Sequence, residues 1–419
     1  MSDVAQTVLL VAAIVVGGVL VLWVLALLPG RVSRARKPET RAMRVIGVGG
    51  GGSNAVDRMI AAGIPGVSFV ACNTDAQGLR RSSAPIKIRI GESTTGGLGS
   101  GGDPEVGRKS AEEDEALIAR AVAGADLVFI TAGLGGGTGS GAAPIIAADA
   151  RRKGALTIAV VTKPFAFEGG QRQRNAVAAE AELAASVDAI ITIPNDRVAD
   201  VVAEDTSMLD AFIVVDDVLL HAVRGISDLL SGPGLINLDF ADVRAVLHGA
   251  GPALIGLGRG SGENRAIDAA RKAIASPLLE GNIHGARRIL FNVSGPADLR
   301  LREVRAAADE IRSNADPDAN VIFGASLSQR AGAEVLITVI ATGLVEPQVP
   351  AQTEPVVEPG EFGSSGSGGR KRRPKVASKP APDASVTDAD TDDAAVTLSE
   401  GPSADASTYK KLRGFLRRS

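Results

Sequence analysis

Two residue pairs and three glycine runs in this chain have the types and spacing to do chemistry. Asp239 and Asp242, in Asn237-Leu-Asp-Phe-Ala-Asp-Val-Arg244, lie three positions apart. That spacing brings both carboxylates to one side of a helix start, where they could orient a water for attack. Capping of the same helix by Asp239 is the plainer alternative. Phe212 and Asp216 lie four apart and share a helix face. The ring could stack on a purine, and the carboxylate could accept from guanine N1–H and its exocyclic amine. Adenine presents an acceptor at that edge and would be disfavoured. A core phenylalanine beside a solvated aspartate is the ordinary reading of such a pair.

The glycine runs point to an anion. Gly133-Leu-Gly-Gly-Gly-Thr-Gly-Ser-Gly141 follows an apolar segment that reads as a buried strand and precedes a helical pattern at 142–149. Glycine lets successive N–H groups turn toward one point, and a helix N-terminus adds the positive end of its dipole. A flexible linker of the same composition is rarely clamped between a strand and a helix. A second run, Gly47-Val-Gly-Gly-Gly-Gly-Ser-Asn54, also closes a strand and opens a helix. Gly47, Gly49 and Gly52 satisfy the dinucleotide fingerprint, with Asp75 roughly 20 residues on. An NAD-dependent enzyme is therefore the rival reading, but it leaves the 133–141 run unexplained. A third run, Gly96-Gly-Leu-Gly-Ser-Gly-Gly102, makes three cradles, which suit a polyphosphate better than one pyrophosphate. No Gly-x-x-x-x-Gly-Lys-Ser/Thr occurs, which excludes a P-loop.

The elements that must hold these groups are legible in the pattern. Residues 44–203 alternate short apolar runs with helical stretches, which predicts a mainly parallel sheet with strands near 44–47, 67–73, 86–90, 126–131, 157–162 and 189–194. A long helix is expected over 206–230, carrying Leu209, Phe212, Ile213, Val218, Leu219, Val223, Ile226 and Leu230 on its apolar side. It reads as a spine between two domains. A second α/β unit follows over 235–344, with strands near 253–257, 289–294, 320–326 and 334–342.

The ends differ in kind from the middle. Residues 4–30 carry no charge, and 8–28 are almost entirely Val, Leu, Ile, Ala and Gly. Twenty-one helical residues span about 30 Å, the thickness of a bilayer core. Only Asp3 precedes this segment, unlike a cleaved signal, while Arg31, Arg34, Arg36, Lys37, Arg41 and Arg44 follow it. The expectation is an uncleaved single-pass anchor in the cell membrane, N-terminus outside and the remainder cytoplasmic. After Leu344 the composition turns to Pro, Gly, Ser, Ala, Asp and Thr, too poor in apolar surface to fold. Leu412, Phe415 and Leu416 then form a small apolar face among cations, suited to docking or to a membrane surface. The expected divisions are an anchor at 1–30, a basic linker at 31–43, a nucleotide domain at 44–205, a central helix at 206–231, a second domain at 232–344, a disordered linker at 345–406 and a docking peptide at 407–419.

Net charge near −3, with no basic stripe in the middle of the chain, argues against a nucleic-acid partner. The single cysteine excludes internal disulfides, and His221, His248 and His284 stand too far apart in sequence to suggest a metal cluster.

Taken in order, Gly47-Val-Gly-Gly-Gly-Gly-Ser-Asn-Ala55, Asn73-Thr-Asp-Ala-Gln77, 133–141, Thr162-Lys-Pro-Phe-Ala-Phe-Glu-Gly169, Ile193-Pro-Asn-Asp196 and 237–244 closely resemble the tubulin/FtsZ family, in its bacterial cell-division form, across 44–344. The resemblance implies a tubulin-like α/β fold: a Rossmann-like GTP-binding domain, a central helix and a smaller α/β domain. It implies a GTPase that polymerises head-to-tail into a contractile division ring at midcell, using GTP/GDP and Mg²⁺ held through the phosphates and not by protein ligands. Gly50, Gly51, Gly52, Ser53 and Asn54 would meet phosphates, sugar and base. Gly101, Gly137, Thr138 and Gly139 would hold phosphates, and Glu168 and Arg172 would touch the ribose or phosphate region. Phe212 and Asp216 fall at the guanine positions. Asp239 and Asp242 match the acidic loop that would activate water in trans at the next subunit's γ-phosphate. Ser140 stands where the family often has Thr. The C-terminal Phe415-Leu-Arg417 fits the family tail, but the Lys410-Lys-Leu-Arg-Gly414 run before it does not, which puts the usual division-protein partners in doubt. The N-terminal anchor is no part of the family pattern.

Overall fold

The computed structural model describes residues 41–199, 202–203, 205–231, 234–236, 238–276, 283–327 and 333–344. The anchor expected at 4–30, most of the basic linker, the C-terminal linker and the C-terminal peptide lie outside these. Among the described residues no helix is long and apolar enough to cross a membrane.

Six strands build the first half: β1 (Met43–Val48), β2 (Val67–Asn73), β3 (Ile86–Arg89), β4 (Leu127–Gly133), β5 (Leu156–Lys163) and β6 (Ala189–Pro194). Their order is 3-2-1-4-5-6 and every pairing is parallel. All six therefore point one way, and the order reverses between β1 and β4, the place where such sheets open a binding crevice at the strand ends. β4 and β5 are buried almost throughout, because helices cover both faces of a parallel sheet. Those of eight residues or more are α1 (Gly49–Ala62), α2 (Pro104–Glu113), α3 (Glu115–Val122), α4 (Gly137–Arg152) and α5 (Gly170–Ser186).

The central helix α6 (Met208–Ser231) starts two residues later than the pattern predicts. Ser207 caps it, its Oγ accepting the Asp210 N–H at 3.1 Å. Val215, Val218, Leu219, Ala222, Val223 and Ile226 are buried against both halves of the molecule. Leu209 and Phe212, expected on that apolar side, are instead 71% and 38% exposed. The helix outruns the core at its N-terminal end.

The second half adds β7 (Gly234–Ile236), α7 (Phe240–Leu247), β8 (Gly251–Gly260), α8 (Arg265–Ile274), β9 (Arg288–Gly295), α9 (Leu301–Arg312), β10 (Asn320–Leu327) and β11 (Val335–Thr342). The sequence pattern missed β7, a three-residue edge strand too short to show periodicity. β8 pairs with β6 over Ala189↔Gly251 to Ile191↔Ala253, so the two expected sheets are one mixed, eleven-stranded sheet. β11 runs antiparallel between β8 and β9.

Alternate glycines along β8 set how closely α8 approaches. A Cβ on Gly256, Gly258 or Gly260 would come within 2.0 Å of the carbonyl oxygens of Ala273, Ala269 and Arg265 respectively. Period two in the strand meets a face of small alanines on the helix. A Gly258→Val substitution should lower unfolding stability by about 3 kcal/mol through overpacking against backbone that cannot yield. Urea denaturation of the variant against the parent checks this.

Candidate functional site

The crevice predicted by strand order is present. A cavity of about 640 Å³ opens where β1, β2, β4, β5 and β6 end. The helices α1 and α4 both begin at it, and neither has a side-chain cap, so their first N–H groups are left for an outside acceptor. The two starts touch: a Cβ on Gly49, which has φ +73°, would lie 2.9 Å from the Gly139 nitrogen. The 96–102 run packs on the 133–141 run, since a Cβ on Gly137 would meet Ser100 Oγ at 2.3 Å. The three runs form one basin.

Of the residues expected from the sequence, Gly50, Gly51, Asn54, Gly137, Thr138, Gly139, Glu168, Arg172, Phe212 and Asp216 line this cavity. Gly52 and Ser53 stand behind it. Gly52 faces the sheet, with Thr131 O only 2.3 Å from where a Cβ would be, and the buried Ser53 hydroxyl donates to Gly49 O at 2.8 Å. Gly101 is exposed between two lining residues, Ser100 and Gly102. Glu168 is already engaged: Oε1 accepts the Phe165 N–H at 2.9 Å, and the other oxygen pairs with Arg172. It holds the arginine at the cavity wall.

Several lining groups carry little signal in the sequence. Thr74 Oγ1 lies 2.6 Å, and Ser100 Oγ 3.0 Å, from Oγ1 of the expected Thr138, a hydroxyl cluster joining three loops. Asn195 lines the cavity with Oδ1 buried and without a hydrogen-bond partner. Such an atom is costly unless a ligand donates to it. The motifs at 73–77 and 193–196 pointed to these loops, but only the fold shows that their side chains converge. Ser140 Oγ accepts the Gly135 N–H at 2.8 Å, so the shorter hydroxyl residue still holds the loop.

The α6 end of the cavity has a ring and an acid. Phe212 stands edge-on to Phe165 with centroids 5.4 Å apart, and Asp216 lies one turn further along. Burial pushes the Asp216 carboxyl up to about 7; the Arg58 cation pulls it down and the neighbouring Asp217 charge pushes it up.

Asp239 and Asp242 are elsewhere. They begin α7, and the Asp242 carboxylate reaches back to accept the Asp239 N–H at 3.2 Å. The carboxylate that caps is that of Asp242, and Asp239 is left exposed. Arg41, two residues before β1, stacks 5.3 Å over the Phe240 ring between them. Ala42 is held beside the start of β4, its N–H donating to Asp126 Oδ2 at 2.9 Å. The acids therefore sit at the starting edge of the parallel strands and the cavity at their finishing edge. β1 alone, six residues long, puts about 20 Å between them.

Residues 42–203 match the Tubulin/FtsZ family GTPase domain, and 251–345 match the FtsZ family C-terminal domain. The chain belongs to the tubulin/FtsZ family. It is a GTPase. The match overturns the NAD-dependent alternative, although the glycine run that reading relied on does close a strand and open a helix. Among solved structures the chain is similar to FtsZ from M. jannaschii, crystallised as an empty dimer. The identity is 43% over 72% of this chain and 88% of that one, with a TM-score of 0.70. A point mutant of the same archaeal protein matches at 43% identity over 73% and 92%, also with a TM-score of 0.70. CetZ1 from Haloferax volcanii, a GDP-bound monomer, shares the fold at 24% identity over 73% and 95%, TM-score 0.64.

The Asp216 shift has a sign that can be tested. A carboxyl raised in the folded state costs stability once pH exceeds its unfolded value, and the cost is complete above about 7. Asp216→Asn should therefore melt several degrees above the parent at pH 8 when nucleotide is absent. The gap should narrow as pH falls from 7 toward 4. Thermal unfolding of both proteins across that range measures it.

Proposed function

We propose that this FtsZ-family GTPase assembles head-to-tail with further copies of itself, and that each active site is completed in trans by Asp239 and Asp242 of the next subunit. The observation that carries this reading is the separation of the acids from the cavity across the full length of the parallel strands. One subunit cannot bring its own acids to its own nucleotide. Apolar side chains are bare at both regions, as a subunit joint requires. Leu98 and Leu209, near the cavity, are 91% and 71% exposed, while Ile236 and Leu327, on the paired strands β7 and β10, are each 40% exposed. The dimeric M. jannaschii relative agrees with self-association.

In this reading guanine enters beside Phe212 and donates to the Asp216 carboxylate, and the two uncapped helix starts receive the phosphates. Mg²⁺ carried by the nucleotide would shield its phosphate charge, with the Thr74 and Thr138 hydroxyls as oxygen donors that could help hold it. Asn54 and Arg172 border the sugar, and Asn195 Oδ1 gains the donor it lacks. Asp239 and Asp242 orient water and take its proton as it attacks. The filament lies on the cytoplasmic face of the cell membrane, held by residues 4–30, and builds the division ring. The C-terminal peptide at 407–419 is the candidate contact for further division proteins.

Asp242→Ala should still bind GTP but lose turnover by about 100-fold or more. Mixing it with Asp216→Asn tests the trans arrangement, because the first supplies intact cavities and the second intact acids. Phosphate release from the mixture should exceed the sum of the two alone; no gain would remove the trans assignment. Membrane flotation of the full chain, but not of residues 43–419, is the outcome expected for an anchor at 4–30.

A further inference from the structure

An ion pair stands behind the cavity. Arg58, on α1, donates from Nε and Nη2 to Asp217 Oδ1 on α6, at 3.1 and 2.6 Å. Both partners are partly buried, with 30% and 19% of their side chains exposed. Each stands next to a residue that lines the cavity. Arg58 is one helical turn beyond Asn54, and Asp217 adjoins Asp216. The seam continues down the two helices, with Arg224 donating to Ala62 O at 2.8 Å and Ser227 to Pro65 O at 3.3 Å. These later contacts fix the helices to each other. Of these three contacts, the Arg58 pair is the one level with the cavity.

We propose that Arg58 is a positioning residue for base recognition: by clamping Asp217 it holds the α6 turn that presents Asp216, and its cation keeps Asp216 able to receive guanine as a carboxylate. This rests on the reading that Asp216 accepts from the base. The charged groups acting on Asp216 are Arg58 from α1 and Asp217 from its own helix, and they act in opposite senses. An apolar surround alone would leave the acid protonated, and a protonated acid has lost one acceptor for the two donors on the guanine edge. The clamp also ties the helix whose start receives phosphate to the helix that receives the base. Both ends of one nucleotide are then held at fixed spacing.

The test is GDP affinity as a function of pH, with each variant read as a ratio to the parent so that the nucleotide's own titration cancels. In the parent, affinity should rise through a midpoint near pH 7. Arg58→Gln should move that midpoint up by about one pH unit, which takes the ionised fraction at pH 7 from about a half to about a tenth. GDP binding at pH 7 then weakens about fivefold, and the deficit closes by pH 9. Arg58→Lys should return the midpoint toward the parent value. Asp217→Asn should move it down, because a like charge is removed and the Arg58 cation is left to Asp216. A purely structural pair would shift both variants the same way, or depress binding equally at every pH, and either result overturns the proposal. Asp216→Asn supplies the separate check. Undiminished preference for GDP over ADP in that variant removes the base reading itself, whereas lost preference with an unmoved Arg58→Gln midpoint removes only the role given to Arg58. If Arg58→Gln does not fold, the sign of the Asp217→Asn shift decides alone.

Discussion

The molecule is organised around a backbone-to-backbone contact at the switch between β1 and β4. Two helices begin there, side by side, with Gly49 of one against Gly139 of the other at a distance that leaves no room for a side chain. Neither end is capped from within the chain. The dipoles and free N–H groups of two helices thus converge on one space, an arrangement that is unfavourable until an anion fills it. The parallel sheet is what makes such convergence possible, since all its strands deliver their following loops to the same edge.

The α6 end of the cavity rests on a different balance. Asp216 is taken partly out of water by its own helix packing, and the penalty is offset only in part by Arg58. A fully solvated acid would be ionised but poorly selective, because water competes for its lone pairs. A deeply buried one would be neutral at working pH. The observed position lies between these limits.

Much of the fold was legible from the chain alone because its signals are local. Strands β2 and β6 fall at the residues their apolar runs predicted, and the glycine runs marked three of the loops around the cavity. What escaped depends on distance in sequence. Thr74 and Ser100 are unremarkable hydroxyl residues until their loops meet the expected Thr138, and Asn195 has no pattern that betrays an unpaired oxygen. Gly52 and Ser53 share the run of their neighbours but turn toward the sheet, because successive residues of a helix point about 100° apart. Joining of the two halves through β6 and β8 could not be read either, since three register pairs carry no sequence mark. Leu209 and Phe212 fit the apolar face of α6 by spacing, yet the helix projects past the body that would have covered them.

The entry point of the chain into the fold has a mechanical consequence. Arg41 lies on Phe240 and Ala42 is fastened to Asp126, so the described chain begins at the acid-bearing edge. In the anchored filament proposed above, the tether would pull at the joints between subunits and not at their flanks. Tension from the bilayer would then bear on the same contacts that bring Asp239 and Asp242 to a neighbour's nucleotide. Load on the membrane and the pace of hydrolysis would share a lever.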